Sequence, residues 1–265
     1  MDYTLNVHGQ LLDLSRPLVM GILNATPDSF YADSRQQTEE DIVSCAAKIL
    51  SEGAAIIDVG GCSTRPGGEV VTEAEEMQRL RMALGIIRRE HPEAVISVDT
   101  FRPDVARMSV EEFGADIIND VSGGTPEMFR MVTQLRVPYI LMSVQPTMRE
   151  MLLSFAEKVQ QLRDMGANDI ILDPGFGFGK TLEQNYILMR NLEVLHELNL
   201  PLLVGVSHKS MIYKLLNVTP DEALNGTTAL QTVALEKGAH ILRAHEVREA
   251  VECVKIINKL SGCLI

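Results

Sequence analysis

The chain has 265 residues, of which 46% are hydrophobic and 23% charged, enough for one large α/β domain with a sizeable core. A net charge of −12 argues against nucleic acid, whose phosphates are held by basic faces, and the absence of Trp argues against a base-stacking platform. No apolar run reaches the ~18–20 residues needed to cross a bilayer, and the N-terminus MDYTLNVHGQ has no signal-peptide character, so a cytoplasmic protein without a membrane partner is expected.

Residues 4–14 (TLNVHGQLLDL) read as two short strands about a Gly9 turn, a hairpin capping one end of the domain. From Pro17 an alternating rhythm runs to the end. Apolar strand candidates fall at 18–24, 55–61, 94–100, 116–123, 138–144, 169–175, 201–207 and 240–245. They are near-continuous apolar runs, as expected of parallel strands covered on both faces.

The segments between them carry helical patterns. Thr38 with Asp41, and Thr72 with Glu75, have the spacing of a capping box. Thr219 precedes Pro220 at a first helical position, and Val247, Val251, Val254 and Ile257 share one face of the last helix. A closed (β/α)8 barrel and an open doubly wound sheet both fit this order. Strand number, length and the plugging hairpin favour the barrel, and no G-x-G-x-x-G follows the first strand. No linker divides the chain, so residues 1–265 are read as a single barrel domain. The four cysteines show neither C-x-x-C nor ligand spacing, and Cys62, near a strand end, is read as a reduced thiol.

In such a barrel the working face lies at the C-terminal strand ends, where the unusual polar residues collect. They are Asn24, Asp58, Asp99, Asn119 with Asp120, Asp173, Ser207 to Lys209, and Arg243 with His245. One such residue could be a cap or a satisfied core group; seven strands of eight ending this way is harder to assign to capping. Only the fifth, ending in Met142-Ser143-Val144, is bland. Residues two apart on a strand point the same way, so Arg243 and His245 project together. Ser207 and Lys209 do so if their strand continues that far. With Lys180 and Arg65 these make a ring of cations suited to a phosphate or diphosphate. Asp99, Asn119 and Asp173 are acceptors from three strands and suit a flat, nitrogen-rich heterocycle.

The stretch IILDPGFGFGKT (170–181) joins a strand to a helix, with Gln184 placed for a capping box on Thr181. It looks like a phosphate-cradling loop, but Gly175 and Gly179 enclose three residues where four are needed, and the preceding Pro174 has no N–H to offer. The loops NATPDSF (24–30) and CSTRPGG (62–68) lie over the mouth, where either could close.

Seven segments, in order, resemble dihydropteroate synthases: GILNATPDSF, DVGGCSTRPGG, SVDT, DIINDVSGG, DPGFGFGKT, LVGVSHKSMI and LRAHEV. The likeness spans residues 17–260. It implies a (β/α)8 barrel, usually a homodimer, that joins 6-hydroxymethyl-7,8-dihydropterin diphosphate to 4-aminobenzoate with Mg2+ assisting. It also implies roles. Asp99, Asn119, Asp173 and Lys209 would hold the pterin, and Asn24, Thr64, Arg243 and His245 the diphosphate, with Asn24 a metal ligand. Phe30, Thr64, Arg65, Pro66, Phe178 and Ser210 would surround aminobenzoate. Catalysis would rest on Asp99, Asp173, Lys209 and Arg65, and Asp33 falls where the family carries a mobile acid.

The chain departs from the family pattern at four places. Cys62 stands for Glu, Ser143-Val144-Gln145-Pro146 for His-Met-x-Gly, His208 for Arg and Glu246 for Asp. Other functions open at this point are a repurposed pterin-binding paralogue, a methyltetrahydrofolate methyltransferase and a nucleotide hydrolase.

Overall fold

The computed structural model describes residues 3–25, 35–62 and 71–262, with backbone only at 35–38. Phe30, Asp33, Thr64, Arg65 and Pro66 lie outside the described residues.

Thr4–Val7 (β1) and Gln10–Asp13 (β2) pair antiparallel, with Val7 opposite Gln10. The two residues between them, His8 and Gly9, take φ of 48° and 77°, the doubly left-handed turn whose twist matches that of the flanking strands. This is the expected hairpin.

Eight further strands follow: Leu18–Asn24 (β3), Ile56–Gly60 (β4), Val95–Asp99 (β5), Ile117–Asp120 (β6), Tyr139–Met142 (β7), Ile170–Asp173 (β8), Leu203–Val204 (β9) and Ile241–Ala244 (β10). They form one sheet in the order β8-β7-β6-β5-β4-β3-β10-β9, every paired neighbour parallel. The free edges meet through a parallel bridge between Leu172 and Leu202. The sheet therefore closes on itself as a (β/α)8 barrel, which excludes the doubly wound alternative.

The helices are Arg35–Ser51 (α1), Glu73–Glu90 (α2), Pro103–Phe113 (α3), Pro126–Leu135 (α4), Met148–Asp164 (α5), Leu182–Arg190 (α6), Ser210–Leu216 (α7), Leu224–Glu236 (α8) and Val247–Leu260 (α9). The Thr72–Glu75 and Thr181–Gln184 capping boxes open α2 and α6 as their spacing requires. Two expected starts differ. Thr38 lies inside α1, which begins by Arg35, so it is not at the helix start. Thr219-Pro220 opens a one-turn 3-10 helix, Pro220–Glu222, with α8 following after Ala223. Strand β9 is thus followed by two helices where the barrel repeat needs one.

Alternation along the strands sorts the core into two layers. One cluster lies between barrel and helices. The other fills the barrel: Met20, Ile56, Ile117, Ile140, Ile171, Leu203 and Ile241, closed below by Leu5, Val7 and Leu14 of the hairpin segment. An inward position recurs every second residue. Two residues beyond this apolar layer stand Asp58 after Ile56, Asn119 after Ile117, Asp173 after Ile171 and Arg243 after Ile241. The apolar plug thus sets the register that brings the polar layer to the mouth.

Candidate active site

Four strands put their tips in one row. Asn24 is in register with Gly60, Gly60 with Asp99, and Asp99 with Asn119. Gly60 gives the row its opening, since a Cβ there would lie 3.7 Å from Asp99 Cβ and 3.8 Å from Asn24 Oδ1.

Beneath the row Arg243 forks between two carboxylates. Its Nε donates to Asp58 Oδ2 at 2.7 Å and its Nη2 to Asp99 Oδ2 at 2.9 Å. Asn119 Nδ2 donates to the same Asp58 oxygen at 3.1 Å. Asp58 and Asn119 are buried, and among the described residues neither Asp58 Oδ1 nor Asn119 Oδ1 has a hydrogen-bond partner. Burial pushes the Asp99 carboxyl up to about 7, with Arg243 opposing and Asp58, Glu76 and Asp120 adding to the rise. Burial also opposes the charge of Arg243, but Asp58 and Asp99 together hold it above the usual guanidinium value. The site holds more acceptors than its own donors can satisfy.

Asp173 ends β8 beside this cluster. Its Oδ1 accepts the Gly175 N–H at 2.8 Å. Burial raises its pKa, against the pull of that N–H and of Lys209, Arg243 and Lys180. The loop that follows is locked from within. Gly175 has φ of 67°, and a Cβ there would fall 2.2 Å from the Ser143 carbonyl oxygen, so only glycine fits. Asn185 Oδ1 accepts the Gly177 N–H at 2.7 Å.

Lys180 corrects an expectation. Its Nζ donates to the carbonyls of Ser143, Gly175 and Phe178 at 3.1, 2.9 and 3.2 Å. It staples the loop to the tip of β7 and is not a cation of the lip. Burial lowers its pKa to about 8, with Asp173 opposing and Lys209 adding to the fall. The nucleotide-loop reading fails on the same fact, because this lysine is spent on backbone. The bland tip of β7 has its use here, as the anchor for that staple.

The cation at the loop is Lys209, whose Nζ lies 4.3 Å from the centre of the Phe178 ring. Strand β9 ends at Val204, so Ser207 and Lys209 do not share a direction by strand alternation. Lys209 is instead the N-cap of α7, after His208 in the left-handed region at φ 51°. That turn is tied down: the His208 N–H donates to Thr227 Oγ1 at 3.2 Å, Nδ1 meets the Pro220 carbonyl, and Nε2 lies 2.7 Å from Glu246 Oε1. Two of the four departures, His208 and Glu246, therefore contact each other. The His208 ring also meets that of His245 edge-on at 6.2 Å, and Ser210 is half-buried at the start of α7.

Asp120 also differs from its expected place. It faces outward from the barrel, accepting the Tyr139 hydroxyl at 2.7 Å and the Ser122 N–H at 2.7 Å. Cys62 lies two residues past β4, its thiol pKa raised by burial and by Glu76.

The structure thus joins Asp99 to Arg243 directly and Asn119 to Arg243 through Asp58, and it places Asn24 across Gly60 from Asp99. Lys209 and Phe178 meet next to the Asp173 loop. In the sequence Asp58 is one strand-tip residue among several, with no role attached. Its position two residues after the plug residue Ile56 was the signal that it faces Arg243.

A family profile described as pterin binding enzyme matches residues 20–245. The dihydropteroate synthase of Escherichia coli strain K12 is 42% identical over 266 residues, covering 94% of each chain. This chain belongs to the dihydropteroate synthase family. Among solved structures, Xanthomonas albilineans dihydropteroate synthase with 4-aminobenzoic acid superposes with a TM-score of 0.91 at 34% identity, over 99% of both chains. The Clostridium difficile dihydropteroate synthase obtained with pteroic acid gives a TM-score of 0.88 at 33% identity, over 93% of this chain and 97% of that one.

Proposed function

We propose that this chain is a transferase of folate biosynthesis that joins 6-hydroxymethyl-7,8-dihydropterin diphosphate to 4-aminobenzoate, giving 7,8-dihydropteroate and diphosphate. One observation carries the reading. The buried acceptors of Asp99, Asn119 and Asp173 converge on a barrel mouth in which Asn119 Oδ1 has no partner among the described residues. A pterin edge, rich in N–H donors, supplies what that floor lacks.

Asp99, Asn119, Asp173 and Lys209 hold the ring. The carbon–oxygen bond to diphosphate breaks, and the methylene carbon, now electron-poor, takes the aminobenzoate nitrogen, which loses a proton. Asp99 and Asp173 face the growing positive charge of the pterin. Arg243 lies between floor and leaving group, with Nε and Nη2 on carboxylates. Arg243, His245 and Thr64 receive the departing diphosphate with Asn24. Phe178 and Ser210, with Phe30, Arg65, Thr64 and Pro66, surround aminobenzoate.

Mg2+ fits the donor set as a companion of the leaving group. Among the described residues no group of three or more His, Cys, Asp or Glu side chains could hold a metal. A hard cation that keeps most of its water and arrives on phosphates needs little more than one protein oxygen, here Asn24 Oδ1. Bound so, it would neutralise charge developing on diphosphate. A homodimer and a cytoplasmic location belong to the same reading; among the described residues no helix is long and apolar enough to cross a membrane.

The test is a coupled assay for diphosphate with both substrates and Mg2+. Release that requires both substrates is the expected result. Absence of turnover with that pair, or turnover without aminobenzoate, would overturn it.

A further inference from the structure

Asp58 is a charged side chain of the mouth to which the reaction assigns no contact. Asp58 sits in the middle of β4, fully buried, one layer below the row that faces substrate. Burying a carboxylate is costly unless its partners compensate, and the partners here are two groups of the mouth itself. Asp58 Oδ2 accepts from Arg243 Nε at 2.7 Å and from Asn119 Nδ2 at 3.1 Å.

The second contact has a consequence for recognition. An amide can present oxygen or nitrogen by turning over, and its neighbours decide which. A carboxylate can only accept, so Asp58 selects the Asn119 rotamer with Nδ2 directed at itself. Asn119 Oδ1 is then left pointing away, buried and without a partner among the described residues. The first contact acts in the same sense. With Nε held by Asp58, the guanidinium plane is fixed and Nη2 reaches Asp99 Oδ2 at 2.9 Å.

We infer that Asp58 is a positioning residue for pterin recognition, locking the Asn119 amide as an acceptor and setting the plane of Arg243 without touching substrate itself. The inference rests on the proposed function, and it adds how the floor is kept an acceptor floor. Asn119 released from Asp58 could offer its NH2 group to the ring, and a donor facing a donor would reject the pterin edge.

The experiment is calorimetry of the full-length protein with 6-hydroxymethylpterin, together with steady-state kinetics on both substrates. Asp58→Asn keeps the shape but lets the 58 side chain donate as well as accept. The expected result is a tenfold or greater rise in the pterin Kd and in KM for the pterin diphosphate, with KM for aminobenzoate within twofold. In an Asn119→Ala background the same substitution should change the pterin Kd by less than threefold, because the amide it orients is gone. Equal factors in the two backgrounds, or equal rises in KM for both substrates, would overturn the inference.

Should Asp58→Asn not fold, Asp58→Glu keeps the charge while displacing the oxygens, and it too should weaken pterin selectively. Loss of the fold in both would make Asp58 a purely structural residue, again overturning it. A wild-type protein that binds no pterin would count against the proposed function; wild-type binding with undiminished binding by Asp58→Asn counts against the role of Asp58 alone.

Discussion

Both ends of the barrel hold a buried arginine–carboxylate cluster, and they are built on opposite terms. At the N-terminal end Arg88 donates to the carbonyls of Phe113, Pro92, Ala94 and Gly114 and to Asp116 Oδ2. Asp116 also accepts the Ile96 N–H at 2.7 Å and meets His8 Nδ1 of the hairpin turn at 2.5 Å. There one carboxylate has two cationic or polar side chains and a backbone donor, and one arginine is saturated by main chain. At the C-terminal end one arginine is shared by two carboxylates, while Asp58 Oδ1, Asn119 Oδ1 and Ser207 Oγ are buried without partners among the described residues. The Arg88–Asp116 cluster, whose carboxylate meets Arg88, His8 and a backbone N–H, pins the hairpin and the α2–β6 end of the barrel together. An acceptor-rich cluster with unmet atoms is strained until a donor arrives, which is the condition of a binding site.

That contrast breaks most sharply under substitution at each end. Lys209→Ala and Asp173→Asn should each lower kcat/KM by a factor of 1,000 or more while leaving the thermal midpoint within a few degrees. Near-normal turnover in both would place the chemistry elsewhere. Arg88→Met should do the reverse. Removing one partner of a buried pair costs about 3–5 kcal/mol, so urea unfolding should shift by that order while the folded fraction keeps its kcat.

A pH series sharpens the comparison, because the two ends titrate in opposite senses. His240, at the N-terminal end, accepts the Leu202 N–H on Nδ1 at 3.1 Å, and burial with the neighbouring His196 lowers its pKa to about 4. The unfolded imidazole titrates near 6.5, so the stability it contributes is complete above that value and is lost as pH falls from about 6.5 to about 4. Asp99, raised to about 7, works oppositely. It binds its proton more tightly folded than unfolded, so its contribution is present at low pH and lost as pH rises towards that value. Replacing His240 with Gln should flatten the acid limb of the stability curve. An unchanged acid limb would show that His240 does not set it. The smallest effect expected is that of Glu246→Gln. The His208–Glu246 contact is partly exposed, so its loss should cost no more than about 1 kcal/mol in urea unfolding.

Much of this was legible in the chain. Eight apolar runs gave eight strands because each is covered on both faces, and two capping boxes marked helix starts by a local hydrogen-bond rule. The Gly9 turn gave the hairpin for the same local reason. What could not be read depended on distant partners. Thr38 looks like a cap because Asp41 stands three residues on, but α1 has already begun at Arg35. Lys180 reads as a phosphate-binding cation until three carbonyls, one contributed by Ser143 just past β7, are seen to occupy it. Asp58 looked no different from Asp120, yet strand parity sends one to Arg243 and the other to Tyr139. The pairing of His208 with Glu246 crosses from the β9 tip to the β10 tip, and nothing local announces it.

The central claim is that an underfilled row of buried acceptors takes the donor edge of a pterin. Calorimetric titration of 6-hydroxymethylpterin at pH 5.5 and pH 7.5, on wild type and on Asp99→Asn, tests it most directly. Asp99 titrates at about 7, so wild-type affinity should rise across that interval, while the variant should bind weakly with no such rise. Absence of binding at either pH, or Asp99→Asn binding as tightly as wild type, would contradict it.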